Sequence, residues 1–197
     1  MALLFHTSDW NKRLVITPLL DPSSQIDESA GAVDIRLGTK FIVPQRTHVP
    51  YLDVRDRDFN SKFPQAVESV HVAFGECLTL HPGHFVLGSS LEYFRLPPDL
   101  SGYVVSRSSW GRLGLMVATA IGIHPGFFGV LCLELSNSAE VPIALYPGVT
   151  IAQVFFHKVM PDSTKRRAKS AYLGATEVEL PEFHLNREIE RLGRLTE

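Results

Sequence analysis

Apolar residues alternate with polar ones over GAVDIRLGTKFIV (Gly31–Val43), through Val33, Ile35 and Leu37. A period of two predicts a strand with one face buried. From His71 onward, short apolar runs are broken by turn signals: HPGH at 81–84, LGSS at 87–90, LPPD at 96–99, HPGFFG at 124–129, SNSAE at 136–140 and YPG at 146–148. A turn about every 10–12 residues is the pattern of an all-β barrel or sandwich. HFVLGSSLEYFRL, GYVVSRSS, GVLCLELSN, VPIALYPG and VTIAQVFFHKV are the predicted strands.

Other segments read differently. SDWNKRLVI (Ser8–Ile16) predicts a short helix capped by Ser8 or Asp9. TPLLDPSSQ reads as loop, and Pro44–Ser69 as charged and irregular, with DVRDRDFNSKF (Asp53–Phe63) an exposed loop or insertion. Beyond Met160 the chain turns polar and basic in TKRRAKSAYLG (Thr164–Gly174). PEFHLNREIERLGRL then places Leu185, Ile189 and Leu192 on one face of a predicted C-terminal helix, Pro181–Leu195. The expected organisation is one β domain over residues 1–160 and a tail over 161–197 that is not an independent domain.

Composition narrows the function. With 197 residues, 45% of them hydrophobic, a sizeable core is expected. The formal net charge of −2 provides no global basic field for a nucleic-acid backbone, so any anion site is local. No apolar run approaches the ~20 residues of a membrane helix. The N-terminus MALLFHTSDW lacks the pattern of a signal peptide. Two cysteines, Cys77 and Cys132, make no disulfide framework and read as small core residues. The expected setting is cytoplasmic.

Against that background SRSSWGRLGL (Ser106–Leu115) stands out, with two arginines and three hydroxyls in a β-rich region. A guanidinium there needs an anion, and its planar fork suits phosphate or carboxylate. Two readings stand side by side: an internal Arg–carboxylate pair that rigidifies a turn, or a ligand site. Glu134 lies in GVLCLELSN on the strand face opposite Leu133 and Leu135. It is either the partner of Arg107 or Arg112, or a base whose pKa burial lifts from ~4.3 so that it takes a proton from water. In ATAIGIHPGFFG, Phe127 is either core or a floor for a sugar or base. His124 alone reads as a loop histidine. His81 and His84 read as a turn, since no nearby Cys or carboxylate pair completes a zinc site. Zinc-deaminase, phosphate-loop and dinucleotide signatures do not occur.

The succession RSSWGRLGL, TA, HPGFFG, LELSN, PIALYPG and IAQ, with AVDIRLG and TLHPGHFVLGSSLEYFRLP upstream, resembles the dCTP deaminase branch of the dUTPase-like superfamily over about Ser8–Phe156. The resemblance implies a mainly β fold: a distorted, jelly-roll-like dUTPase-like β-barrel with short helices, assembled as a homotrimer with active sites between subunits. It implies hydrolytic deamination of dCTP to dUTP and ammonia, with Mg2+ carried by the triphosphate and no zinc. By position, Glu134 would activate water, with Arg112 and Ser108 holding the water and the pyrimidine C4 region. Arg107 and Ser109 would meet the triphosphate, and the Ala120 backbone would order the water. Phe127 would pack under deoxyribose. His124 stands where the family carries an Asp that touches the sugar 3′-hydroxyl and serves as base in dUTP hydrolysis, which argues against that second activity. Tyr172 matches a tail tyrosine that closes over the triphosphate, while Ala171 and Ala175 replace its Lys and Gln neighbours. Two further readings stay open: a deaminase of another or modified deoxycytidine nucleotide, and a nucleotide-binding protein without turnover.

Overall fold

The computed structural model describes residues 7–54, 56, 59–118, 122–160, 172–181 and 191. A 3-10 turn (Trp10–Lys12) leads into β1 (Val15–Thr17), α1 (Pro22–Gln25), β2 (Ile26–Asp27) and the long β3 (Ala32–Pro44). After α2 (Phe59–Lys62) and a second 3-10 turn come β4 (Val67–His71), β5 (Leu78–Leu80), β6 (Phe85–Arg95) and β7 (Leu100–Ser106). One helical turn, α3 (Ser108–Arg112), separates β7 from β8 (Leu115–Val117), β9 (Gly122–Ile123), β10 (Phe128–Asn137), β11 (Ile143–Leu145) and β12 (Thr150–Lys158).

The strands form one curled antiparallel sheet in the order β8-β10-β6-β3-β12-β7-β9, with β1 on β6 and β2 and β4 on β3; β5 and β11 make a separate ribbon. The alternation read from the sequence explains the curl. Val33, Ile35 and Leu37 of β3 face Phe94, Leu133, Leu135 and Val154 in a shared core, while Asp34 and Arg36 alternate with them and keep their side chains only 14% and 13% exposed. β3 serves both halves of the sheet: its first residues pair with β12 and its later ones with β6 and β4. Its register against β6 shifts between Leu37 and Phe41. Gly38 sits at that shift, where a Cβ would lie 2.6 Å from Ser89 Oγ, so only glycine lets the two strands cross so closely.

Some expectations need correction. Ser8–Ile16 is not a helix: Asp9 caps a single 3-10 turn by accepting from the Asn11 N–H, and the chain then becomes β1. Pairing of Val15, Ile16 and Thr17 with Arg95, Phe94 and Tyr93 of β6 overrides the helical pattern, since Leu14 and Ile16 reach the core as alternate residues. Trp10 lies under the Arg95 guanidinium, 4.5 Å from the ring centroid. Pro44–Ser69 is more ordered than expected, with β4 paired to β3, Phe59 buried and Lys62 paired to Asp56. Cys77 is exposed on the loop before β5 rather than in the core. The predicted helix Pro181–Leu195 and the basic loop Thr164–Lys169 lie outside the described residues, apart from Pro181 and Arg191. Among the described residues no helix is long and apolar enough to cross a membrane.

Among the described residues one charged group lies fully inside. Glu92 on β6 has no exposed surface. It accepts from the Arg36 backbone N–H at 2.9 Å and from Gln25 Nε2 at 3.1 Å, with Arg36 Nη1 at 3.7 Å. Burial raises its carboxyl above the ordinary 4.5, against the opposing pull of Arg36 and Gln25. A carboxyl whose folded pKa exceeds its unfolded one binds more protons in the native state, so its contribution to stability declines as pH rises through that interval. Glu92→Gln has no such titration. Wild type should therefore lose stability relative to Glu92→Gln as pH rises above 4.5, as read by urea denaturation of both proteins over a pH series; a pH-independent difference contradicts this.

Candidate active site

β7 leaves the sheet at Ser106, where the Arg107 N–H still bonds to Ile151 O at 3.3 Å. The chain then winds into α3, whose Trp110 and Gly111 N–H groups return to Arg107 O. Trp110 Nε1 donates to Thr150 O at 2.8 Å and fixes the turn against β12. Ser108, Ser109 and Arg112 are left exposed. Arg107 turns back over the sheet and pairs through Nη1 with Asp34 Oδ2. The other Asp34 oxygen accepts from Gln153 Nε2 at 2.7 Å.

The carboxylate that pairs with Arg107 is therefore Asp34, not Glu134. Sheet order explains why: β7 lies beside β12, and β12 beside β3, whereas β10 lies on the far side of β6. Neither Asp34 nor Gln153 was assigned a role from the sequence. Their signals are Asp34 on the polar face of AVDIR and Gln153 in IAQ.

Beyond α3, Gly114 adopts φ +89° and passes so close to Ala139 that a Cβ would meet the Ala139 Cβ at 2.5 Å. The Ser138 N–H and Oγ both donate to Gly114 O at 2.9 Å. This clamp aligns β8 with β10, and the Ala118 N–H reaches Glu134 O at 2.8 Å. In β10, Leu133 and Leu135 are fully buried and Glu134 faces outward, half-buried, opposite Leu87 of β6. Cys132 shares that face. Burial pushes its thiol up to about 11, and the charges of Glu134 and Glu179 add to the rise. The thiol thus stays protonated near neutral pH and is no nucleophile.

The tail segment 172–181 lies along the open edge of β10: the Gly174 N–H donates to Phe128 O and the Val130 N–H to Ala175 O, while Lys40 pairs with Glu177. Ala175 is buried there and Tyr172 is exposed. The Phe127 N–H bonds to His124 O at 3.1 Å and closes the HPGF turn; Phe127 packs half-buried against the core and His124 is exposed.

Two clusters result. Arg107, Ser108, Ser109 and Arg112 share the α3 turn with Asp34. Glu134 lies on β10, the strand whose start carries Phe127 and the tail contact. Among the described residues, no hydrogen bond or ion pair joins Glu134 to Ser108 or Arg112 within one chain. Ala120 and Ala171 lie outside the described residues.

The family model described as dCTP deaminase-like matches residues 6–159. The chain belongs to this family. It is 43% identical over 150 residues to a dCTP deaminase, dUMP-forming, of Dictyoglomus turgidum, which covers 75% of this chain and 74% of the relative. It is 41% identical over 144 residues to a dCTP deaminase of Halorubrum lacusprofundi, covering 73% and 68%. Among solved structures it resembles a 2′-deoxycytidine 5′-triphosphate deaminase from Agrobacterium tumefaciens, with a TM-score of 0.55 and 25% identity. That match covers 73% of this chain and 41% of the other, so the chain spans about two fifths of that structure's length. The fold is mainly β, a curled antiparallel sheet with few, short helices, as expected from the motifs.

The clamp on α3 and β8 is testable with two glycines. Gly114→Ala combines positive φ with a backbone collision and is expected to destabilise by ~1–3 kcal/mol or more. Gly111→Ala, inside α3 with nothing within 4 Å, is expected to be neutral or stabilising by up to ~1 kcal/mol. Urea denaturation of both variants checks the contrast, and equal effects contradict it.

Proposed function

We propose that the protein is a dCTP deaminase: it hydrolyses the C4–N4 bond of dCTP to give dUTP and ammonia, with Glu134 as the proton-transfer group. Membership of the dCTP deaminase-like family over residues 6–159 carries this reading. The outward, half-buried position of Glu134 between core leucines supports it.

The chemistry needs few groups. Water attacks C4 while Glu134 takes its proton; N3 is protonated, and the amine leaves as ammonia after receiving a proton. One carboxylate that alternates between base and acid supplies these steps, a contribution of roughly 10²–10⁴ in rate. Arg112 polarises the water and steadies Glu134, Ser108 fixes their geometry, and the Ala120 backbone orders the water. Arg107 and Ser109 hold the triphosphate, which brings its own Mg2+, and no zinc takes part. Phe127 lies under the deoxyribose, His124 beside it, and Tyr172 approaches with the tail.

Glu134 and the α3 residues come from different copies of the chain in this proposal, most simply a homotrimer. The exposure of Ser108 and Arg112 supports it, as do the exposed Phe85 and Met116 on the sheet face that carries Glu134. A neighbouring copy there would dry the carboxylate and strengthen its interactions.

A second reading concerns only the product. Relatives named dUMP-forming favour dUMP; His124 favours dUTP. Incubation with dCTP and Mg2+, followed by separation of dUTP, dUMP and ammonia, decides between them, and no product at all defeats both. Glu134→Gln is expected to fold normally and lose at least ~10²-fold in kcat. Mixing unfolded Glu134→Gln and Arg112→Ala chains and refolding them together should restore part of the activity, because some shared sites then carry both intact residues. No recovery in refolded mixed oligomers argues against the shared site.

A further inference from the structure

We propose that Asp34 is a positioning residue for Arg107, held in turn by Gln153, so that the guanidinium meets the nucleotide phosphates already oriented. The proposal rests on the reading of Arg107 as a phosphate ligand and names the device that makes it one.

Three strands meet at this point. Gln153 of β12 is in register with Asp34 of β3 on one side and Val105 of β7 on the other, and Arg107 follows Val105 by two residues, on the same face. Asp34 commits one oxygen to Arg107 Nη1 and the other to Gln153 Nε2. Its carbonyl accepts from Gln25 Nε2 at 3.3 Å, and Gln25 also donates to the buried Glu92. The carboxylate is thus fixed on both sides and tied to the core beneath. Its side chain is 14% exposed, whereas that of Arg107 is 38% exposed.

Arginine carries five donors in a planar fork. The bond to Asp34 occupies Nη1 and leaves Nε and Nη2 with no hydrogen bond among the described residues. An anion can therefore bind without breaking the pair. A free arginine has many rotamers, and a ligand that has to order it binds more weakly. Fixing the fork beforehand appears in substrate binding, not in the chemistry at C4, because Glu134 sits on a different strand.

The test uses Asp34→Asn, which keeps the shape and removes the charge, and Gln153→Met, which frees Asp34 without altering any charge. Each is expected to raise KM for dCTP about tenfold, or ~1.4 kcal/mol, with kcat changed less than twofold. Dissociation constants for dCTP by calorimetry should rise in parallel. In an Arg107→Ala background, which itself raises KM, neither change should add anything, since the group to be positioned is gone. Additive effects, or loss of kcat and thermal stability at constant KM, would show a merely structural role and overturn the proposal. A fall in KM for Asp34→Asn would show that Asp34 competes with phosphate, and also overturns it. If Arg107→Ala raises KM while Asp34→Asn and Gln153→Met leave it unchanged, positioning fails and the phosphate reading survives. If Arg107→Ala leaves KM and calorimetric binding unchanged, both fail.

Discussion

The carboxylate of Asp34 sits where three strands meet, largely withdrawn from water, and the local structure is arranged around keeping it paired. Arg107 and Gln153 take one oxygen each. An anion left alone at such a depth would be costly. The pair therefore joins the end of β7 to β3 across β12, and α3 starts from a fixed point. Everything on that turn, including Ser108, Ser109 and Arg112, inherits its place from this bond and from the Trp110 link to Thr150.

Glu134 is placed by a different device. Leu133 and Leu135 anchor β10 from below, and the strict period of two forces Glu134 to the other face. A shift of register by one residue would bury the carboxylate and expose two leucines. The close passage of Gly114 past Ala139 brings β8 alongside, so Ala118 lies against Glu134 and its N–H reaches Glu134 O. The tail adds Gly174 and Ala175 to the open edge of the same strand. The α3 groups and Glu134 thus stand on two supports that share the core, with no hydrogen bond or ion pair between them among the described residues.

The sequence was legible where one face of an element is buried. β3 is legible as an alternating run and β6, β10 and β12 as short apolar runs between turn signals; the outward direction of Glu134 follows from the strict burial of every second residue in β10. Legibility failed where contacts distant in the chain decide. Ser8–Ile16 has a helical look, yet Val15–Thr17 pair with β6, about 80 residues on, and pairing with that strand wins. The partner of Arg107 lies 73 positions away and that of Gln153 lies 119 away. No local pattern distinguishes Asp34 from other polar residues on a strand face, whereas the sheet order settles the matter at once. Cys77 was misplaced for a related reason: an apolar neighbourhood in sequence became a loop in space.

Separation of the two supports has a consequence for how such a site works. A guanidinium ordered before a ligand arrives costs less to bind, and the ion pair with Asp34 orders Arg107 inside the fold. A group that exchanges protons with water must keep some freedom and must not be neutralised by a fixed cation of its own chain. Glu134 has no such partner among the described residues, and its near neighbour Cys132 is kept a neutral thiol by burial and by the carboxylates beside it. Had Arg107 paired with Glu134, as the sequence allowed, one bond would have tied up both the proposed phosphate ligand and the proposed base. Pairing the arginine with Asp34 leaves Glu134 without an ion-pair partner among the described residues, and in the proposed shared site a second copy of the chain would bring Arg112 and Ser108 to it.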